Sequence, residues 1–337
     1  MCKAPTVKIA VVGLGLIGGS LLRGLALAGH AVSGYDADPA TRATARTAAA
    51  QAPPAARWRV TGEMRDALAQ AELVAVAVPL PAVGGVLSEL VAAGYAGLVT
   101  DVTSVKGPVR ELVAERVRGL GSRLFGYVGG HPMAGRETSG FPAADPDLFT
   151  GCAWVLCLEA ETSLADWLEL ADLFTRLGVR VVPATADEHD RAVATVSHVP
   201  HLLASALAAA AAGDPLALTL AAGSFRDGTR VAASPPALTA AMCGGNAPAV
   251  RDALASVTAG LTDLAAALDT AEPIPALRTL LEAPAAVRSA WPPRPGTRLD
   301  LPANPGALVR LGRAGGWVTA VAPDRHTVTA IRPHQPG

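Results

Sequence analysis

The chain has 337 residues, half of them apolar, and a formal net charge of −1. That length and apolar fraction are enough for two medium-sized cores, and the near-zero charge, with no basic block or arginine–aromatic stripe, leaves no electrostatic footprint for a nucleic acid. No apolar run reaches the roughly 18 to 20 residues that span a bilayer, and the amino terminus enters a strand within a few residues, so the expectation is a cytoplasmic protein with neither signal peptide nor membrane partner.

Residues 7–12 are an apolar, β-branched run of strand length that ends in Gly13-Leu14-Gly15-Leu16-Ile17-Gly18, after which Leu21, Leu22, Leu25 and Leu27 recur at helical spacing. Strand, glycine turn and helix in that order predict a dinucleotide site. Gly13 permits the tight turn, Gly15 admits a pyrophosphate to the backbone where Leu16 and Ile17 open the helix, and Gly18 lets the helix lie close to the strand. A second predicted strand, 31–35, ends in Asp36, near the roughly 20-residue offset at which a carboxylate accepts the ribose hydroxyls and repels a 2′-phosphate. NAD is therefore expected rather than NADP. The plainer alternative makes Asp36 the cap of a helix beginning near Pro39, and Arg42 is close enough in sequence to serve a 2′-phosphate.

Further strand-like runs at 73–78 and 98–101 alternate with amphipathic stretches at 83–91 and 105–117, the pattern of a doubly wound parallel sheet. Val78-Pro79 and Asp101-Val102-Thr103-Ser104 fall at the carboxyl ends of these strands, where open α/β sheets bind ligands. Ser104 has a plainer reading as a helix N-cap. Lys106, one of only three lysines, hints at a local charge requirement. Gly129-Gly130-His131-Pro132-Met133-Ala134-Gly135 then sets one histidine among glycines, in a turn fixed by proline. An ordinary imidazole pKa of about 6.5 suits proton removal near neutral pH.

Runs at 153–158 and 179–182, joined by a helical stretch to 177, are expected to close the first domain as further sheet elements. Cys152 and Cys157, five apart in a predicted strand, point to opposite faces and share neither metal nor disulfide. With Cys2 and Cys243 they show no paired spacing. Beyond Pro183 the pattern is almost wholly helical. Residues 187–212 open with Asp187 and Glu188, as a helix N-terminus favours, and 246–271 form a second long helix. Broad alanine-rich apolar faces predict a homodimer.

Ser197-His198-Val199-Pro200-His201 lies within the first of these helices, and Pro200 cannot donate to the carbonyl of Val196, so a kink or local opening is expected. His198 and His201 occupy neighbouring faces, but a metal site needs a third ligand and His189 falls on the opposite face; no metal is expected. Phe225-Arg226-Asp227-Gly228-Thr229-Arg230 is expected between helices, one arginine pairing with Asp227 and the other taking a carboxylate in bidentate fashion. A Pro-rich linker after Pro284 leads to a short hairpin formed by 318–321 and 327–331. The expected domains are 1–184, 185–283 and 284–337.

A nicotinamide fold, a poised histidine, a serine at a strand end and a carboxylate-binding arginine describe oxidation of an alcohol on a small acidic substrate. In that order, segments 13–18, 101–107, 129–140, 196–201 and 225–230 resemble the motif set of prephenate dehydrogenases, over about residues 7–282. The resemblance implies a Rossmann-like domain followed by an all-helical dimerisation domain and a short tail. It also implies NAD-dependent oxidative decarboxylation of prephenate to 4-hydroxyphenylpyruvate, on the route to tyrosine. In that reading His131 is the base and Ser104 orients both His131 and the substrate hydroxyl. Arg230 binds a substrate carboxylate, His201 and Asp227 position that end of the pocket, and Ser197 lines it. Arg136 stands where many relatives have threonine; it supplies a second positive charge to the substrate or pairs with Glu137 or Asp145. Arogenate is the alternative substrate, giving tyrosine directly. A β-hydroxyacid dehydrogenase would need a lysine in the helical domain, and none follows Lys106. A catalytically silent NAD- or metabolite-binding regulator would have a broken catalytic set.

Overall fold

Apolar runs separated by glycine turns fold into a parallel sheet in the first part of the chain. Its elements are β1 (Lys8–Val12), α1 (Leu16–Leu27), β2 (Ala31–Tyr35), α2 (Pro39–Gln51), β3 (Arg59–Val60), α3 (Met64–Leu68), β4 (Leu73–Val76), α4 (Leu80–Ala92), β5 (Leu98–Asp101), α5 (Gly107–Val117) and β6 (Gly126–Val128). The strand order is β3-β2-β1-β4-β5-β6, and the pairings within it are parallel. Because both faces are covered, the central strands β1, after Lys8, and β4 are apolar and buried throughout, whereas β2 nearer the edge alternates. Ile9 and Val11 of β1 enter one core, while Ala10 and Val12 enter the other. The reversal of strand order between β1 and β4 opens the crevice where this architecture holds its ligand.

This is a computed structural model describing residues 6–117, 126–136, 138–294 and 296–334. The chain divides at His189 and Asp190 into two compact units, the first also taking in 300–330 and the second 331 onward. Three expectations about the first unit change. The predicted extra sheet elements do not extend the parallel sheet. Strands β7 (Gly130–Pro132), β8 (Ala153–Cys157) and β9 (Arg180–Ala184), with α6 (Leu164–Arg176) between the last two, belong to a second sheet. The histidine segment is therefore a strand rather than a turn, His131 pairing with Val155 across an antiparallel ladder. A three-residue strand finds its partner some twenty residues away, which local sequence does not reveal. Cys152 precedes β8 and donates to the Leu148 carbonyl, and none of Cys152, Cys157 and Cys243 is in a disulfide.

The third change concerns the tail. Beyond residue 296 come β10 (Thr297–Pro302), α14 (Pro305–Arg313), β11 (Trp317–Val321) and β12 (Thr327–Arg332). The hairpin around Asp324 and Arg325 is present, but it completes the second sheet in the order β10-β12-β11-β9-β8-β7. Leu308, Leu311, Val318, Val328 and Ala330 are buried in the same core as Trp154 and Trp167. Arg325, at φ +58, closes the turn.

The second unit is helical: the end of α7 (Ala186–Val193), then α8 (Val199–Ala210), α9 (Pro215–Leu220), α10 (Gly223–Thr229), α11 (Pro236–Gly245), α12 (Ala247–Leu268) and α13 (Pro273–Ser289). A π-helical turn, Ala194–His198, joins α7 to α8, with the Val199 amide donating to the Ala194 carbonyl. Pro200, lacking an N–H, is carried by this wider turn without ending the helix. The helix consequently runs from Ala186 to Ala210, 25 residues, long and apolar enough by length and composition to cross a membrane, contrary to the run lengths read from sequence. Its His189 and His198 are nonetheless buried in side-chain hydrogen bonds. Helix α13 continues through Pro284 to Ser289, so the expected linker begins later than 284. A small core of Ala194, Val199 and Val250 holds α8 against α12.

Candidate active site

The glycine turn has the conformation its spacing predicts. Gly13 has φ +96, and a Cβ there would lie 2.4 Å from the Ala77 carbonyl oxygen. At Gly18 a Cβ would lie 1.9 Å from the Gly13 carbonyl oxygen, whereas at Gly15 it would meet nothing within 4 Å. Two glycines thus permit the backbone's own close approach, and the middle one faces open space at the N-terminus of α1. No side chain caps that terminus, so its amides are left to a ligand. Leu16 and Ile17 start the helix there, half-buried, and Val78 packs on the turn from the end of β4, with exposed Pro79 beginning α4.

Asp36 closes this site from the end of β2. Its Oδ2 accepts the Leu14 amide at 2.7 Å and its Oδ1 accepts the Asp38 amide at 2.8 Å. The cap of α2 is Asp38, which accepts from Ala40 and Thr41, so Asp36 is not the helix cap. Arg42 donates to the Asp36 and Ala37 carbonyls and lies over the Tyr35 ring. Carboxylate and uncapped helix together fit a dinucleotide without a 2′-phosphate.

The histidine strand is anchored from below by a buried ion pair. Lys106 and Asp101 are each 1% exposed and in direct contact. Lys106 Nζ also donates to Thr103 Oγ1 at 3.0 Å and to the Gly130 carbonyl at 2.6 Å. Asp101 Oδ2 accepts the Tyr127 hydroxyl at 2.7 Å, and Oδ1 accepts the Thr103 amide at 2.8 Å. Gly130 lets β7 approach β5: a Cβ there would be 2.6 Å from the Asp101 carbonyl oxygen. The charge requirement hinted at by Lys106 is thus the counter-ion of Asp101. Ser104 lies half-buried in the same β5–α5 connection, three residues before α5 begins, and so is not that helix's cap.

His131, 8% exposed, directs Nδ1 to Nε2 of His189 at 2.8 Å. His189 went unrecognised as a site residue in the sequence. The first turn of its helix is a capping box: the Thr185 amide donates to Glu188 Oε2 and the Glu188 amide to Thr185 Oγ1. That signal, Thr-x-x-Glu, was readable, but the meeting with a histidine 58 residues away was not. Burial pushes the Glu188 carboxyl up in pKa, but the Thr185 amide and the Arg313 guanidinium outweigh it and hold the group below its ordinary value. Arg136 pairs with Asp145 on a half-exposed surface. The Asp147 amide and then Arg136 hold the Asp145 carboxyl below its ordinary value. Glu137, the other partner considered, lies outside the described residues.

The remaining site residues belong to the second unit. His201 Nδ1 donates to the Ser197 carbonyl at 2.8 Å, one turn back across the π-turn. His198 is fully buried, its Nδ1 3.2 Å from Asn246 Nδ2, which also donates to the Asp190 carbonyl. The arginine cluster is a helix rather than a connection between helices: 223–229 form α10, because the long helix ends at Ala210 and Asp214, accepting the Ala217 amide, starts the short α9 that precedes it. Arg226 pairs with Asp227 at the surface, as one arginine was expected to. Arg230 opens the 3-10 turn Arg230–Ala233, which packs with α10 against α8, the helix of His201.

Residues 23–183 match the family description "Prephenate dehydrogenase, nucleotide-binding domain", and residues 185–282 match "Prephenate dehydrogenase, dimerization domain". The chain belongs to the prephenate dehydrogenase family. Among relatives, it is 33% identical over 216 residues to a cyclohexadienyl dehydrogenase of Zymomonas mobilis, covering 62% of this chain and 72% of that one. It is 36% identical over 169 residues to the prephenate dehydrogenase of Lactococcus lactis, but the match covers 48% of this chain and only 45% of that one. The structure of the A. aeolicus prephenate dehydrogenase, with hydroxyphenyl propionate and NAD+, superposes with a TM-score of 0.74 at 25% identity, covering 85% of this chain and 98% of that one. As a member of the prephenate dehydrogenase family, the chain is an oxidoreductase whose first half binds a nucleotide and whose helical half is the family's dimerization domain.

Proposed function

We propose that this protein oxidises and decarboxylates prephenate with NAD, giving 4-hydroxyphenylpyruvate and CO2. The observation that carries the reading is His131: a buried imidazole on a strand locked to β5 by Lys106, at the carboxyl end of the nucleotide-binding sheet. The cofactor would rest on Gly13, Gly15 and Gly18, with Asp36 at its ribose, and supplies the hydride acceptor. NAD+ in the A. aeolicus structure supports the choice of cofactor.

His131 removes the proton of the substrate's ring hydroxyl while the carbon bearing that hydroxyl gives up its hydride. Loss of the ring carboxylate as CO2 then sends its electron pair into the ring, which becomes aromatic, and the phenolate oxygen takes back the proton held by His131. Aromatisation provides the driving force, so one base suffices and no metal is required. Ser104 orients the hydroxyl and His131. Arg230 binds a substrate carboxylate, and His201, its Nδ1 committed to the Ser197 carbonyl, positions that end of the substrate. Engagement of Asp227 by Arg226 favours the keto acid over arogenate, whose amine would need a carboxylate partner. Arg230→Ala is expected to raise KM more than it lowers kcat, as for loss of ground-state binding; steady-state kinetics with an unchanged KM would assign Arg230 to structure.

The working unit is proposed to be a homodimer. Of the large apolar side chains exposed on the described residues, all but Leu27 lie in the second unit, among them Leu220, Ile274 and Val287. NADH formation followed at 340 nm, with prephenate and arogenate each offered with NAD and NADP, tests the whole reading. Turnover with arogenate alone would replace the substrate, and silence with all four pairs would replace the activity.

A further inference from the structure

The geometry points to His189 as the residue that sets the tautomer of His131, a positioning role that rests on the reading of His131 as the base. Two imidazole nitrogens 2.8 Å apart share one proton: one ring donates and the other accepts. The rings meet edge to face, centroids 5.0 Å apart and planes at 75°, an orientation that directs the Nδ1 lone-pair or N–H axis of His131 at its neighbour. Both residues are buried, at 8% and 2% exposure, so bulk water does not readily substitute for either partner.

Only one arrangement is compatible with catalysis. If His189 Nε2–H donated to His131 Nδ1, neutral His131 would carry its proton on Nε2 and have no basic nitrogen left for a substrate. If His131 Nδ1–H donates to His189 Nε2, His131 keeps its lone pair on Nε2 and His189 carries its own proton on Nδ1. When His131 takes the substrate proton, the same hydrogen bond becomes charge-assisted and stronger. His189 thus holds His131 in the basic tautomer and supports the imidazolium, without itself losing or gaining a proton.

The surrounding structure is built to present His189 rigidly. It occupies the first turn of α7, its amide donating to the Thr185 carbonyl at 2.9 Å. That turn is held by the Thr185–Glu188 capping box, by the Ala186 amide on Glu159 Oε1, and by Arg313 of α14 on Glu188. The tail of the chain, through Arg313, therefore buttresses the helix turn that orients the base.

The test compares wild type with His189→Leu, which fills the space without an acceptor, and His189→Gln, whose amide oxygen can accept at the position of Nε2. Nitrogen-15 NMR of histidine-labelled protein, with the His131 signals assigned from His131→Asn, reads the tautomer directly and needs no turnover. The Nδ1–H form is expected at His131 in wild type and in His189→Gln, and the Nε2–H form in His189→Leu. With the substrate that wild type turns over, His189→Leu should lose at least about tenfold in kcat, with KM and NAD affinity within about twofold, and His189→Gln should recover most of the loss. An Nε2–H tautomer at His131 in wild type, or a His189→Leu variant with wild-type tautomer and kcat, overturns the proposal. Should His189→Leu not fold, the wild-type and His189→Gln spectra still decide it. A protein inactive on all substrates yet showing the Nδ1–H tautomer would overturn the functional reading and leave the tautomer assignment standing.

Discussion

His131 and Lys106 illustrate two ways in which a single charged or titratable group is made useful by burial. His131→Asn removes the base but keeps a hydrogen-bonding side chain of similar breadth. It is expected to lower kcat by about 10²-fold or more, with NAD affinity intact, and near-normal turnover would take His131 out of the mechanism. Lys106 acts through stability. Replacing it with methionine leaves Asp101 buried without its counter-ion, at a cost of about 3–5 kcal/mol, measurable by urea denaturation. Adding Asp101→Asn to Lys106→Met should return much of that stability, because the uncompensated charge is then gone. Equal destabilisation in the single and double variants would show that packing, not charge, is what the pair supplies.

Among the elements, the β1–α1 turn is the one most tightly specified by its residues. A methyl group at Gly18 would sit 1.9 Å from a main-chain oxygen, which cannot rotate away as a side chain would, so the turn itself must open. Gly18→Ala is accordingly expected to weaken NAD binding by about tenfold or more, the equivalent of a strain of about 1–3 kcal/mol, as read by titration calorimetry. Gly15→Ala meets no such neighbour and should leave the fold's stability unchanged while lowering cofactor affinity. The helix 186–210 behaves differently. Its π-turn converts the missing donor of Pro200 from a break into a local widening.

For the molecule as a whole, the second unit exposes leucines and isoleucine that no described residue covers to the extent typical of a core. Leu220 is 71% and Ile274 81% exposed. If these side chains lie in the dimer interface, Leu220→Asp and Ile274→Asp should each shift the sedimentation profile toward monomer while leaving the far-ultraviolet circular dichroism unchanged. An unaltered dimer in both variants would move the interface elsewhere. The tail acts at the same scale: it adds three strands to the second sheet and a helix beside it, so part of the first unit's core, from Leu308 to Ala330, comes from residues far along the chain.

Much of this protein was determined by the sequence itself. The parallel sheet, the glycine turn, the position of Asp36 after β2, the long helices and the terminal hairpin follow from spacings of a few residues, where local sterics and hydrophobic periodicity dictate the outcome. Other features were decided only in three dimensions. His131 lies in a strand because β8 pairs with it, Lys106 is buried because Asp101 and Gly130 converge on it, and the tail joins the first unit because β11 pairs with β9. His189 meets His131 because a capped helix turn and a short strand are packed side by side. Each depends on groups separated by many residues along the chain, and no local pattern encodes such distances.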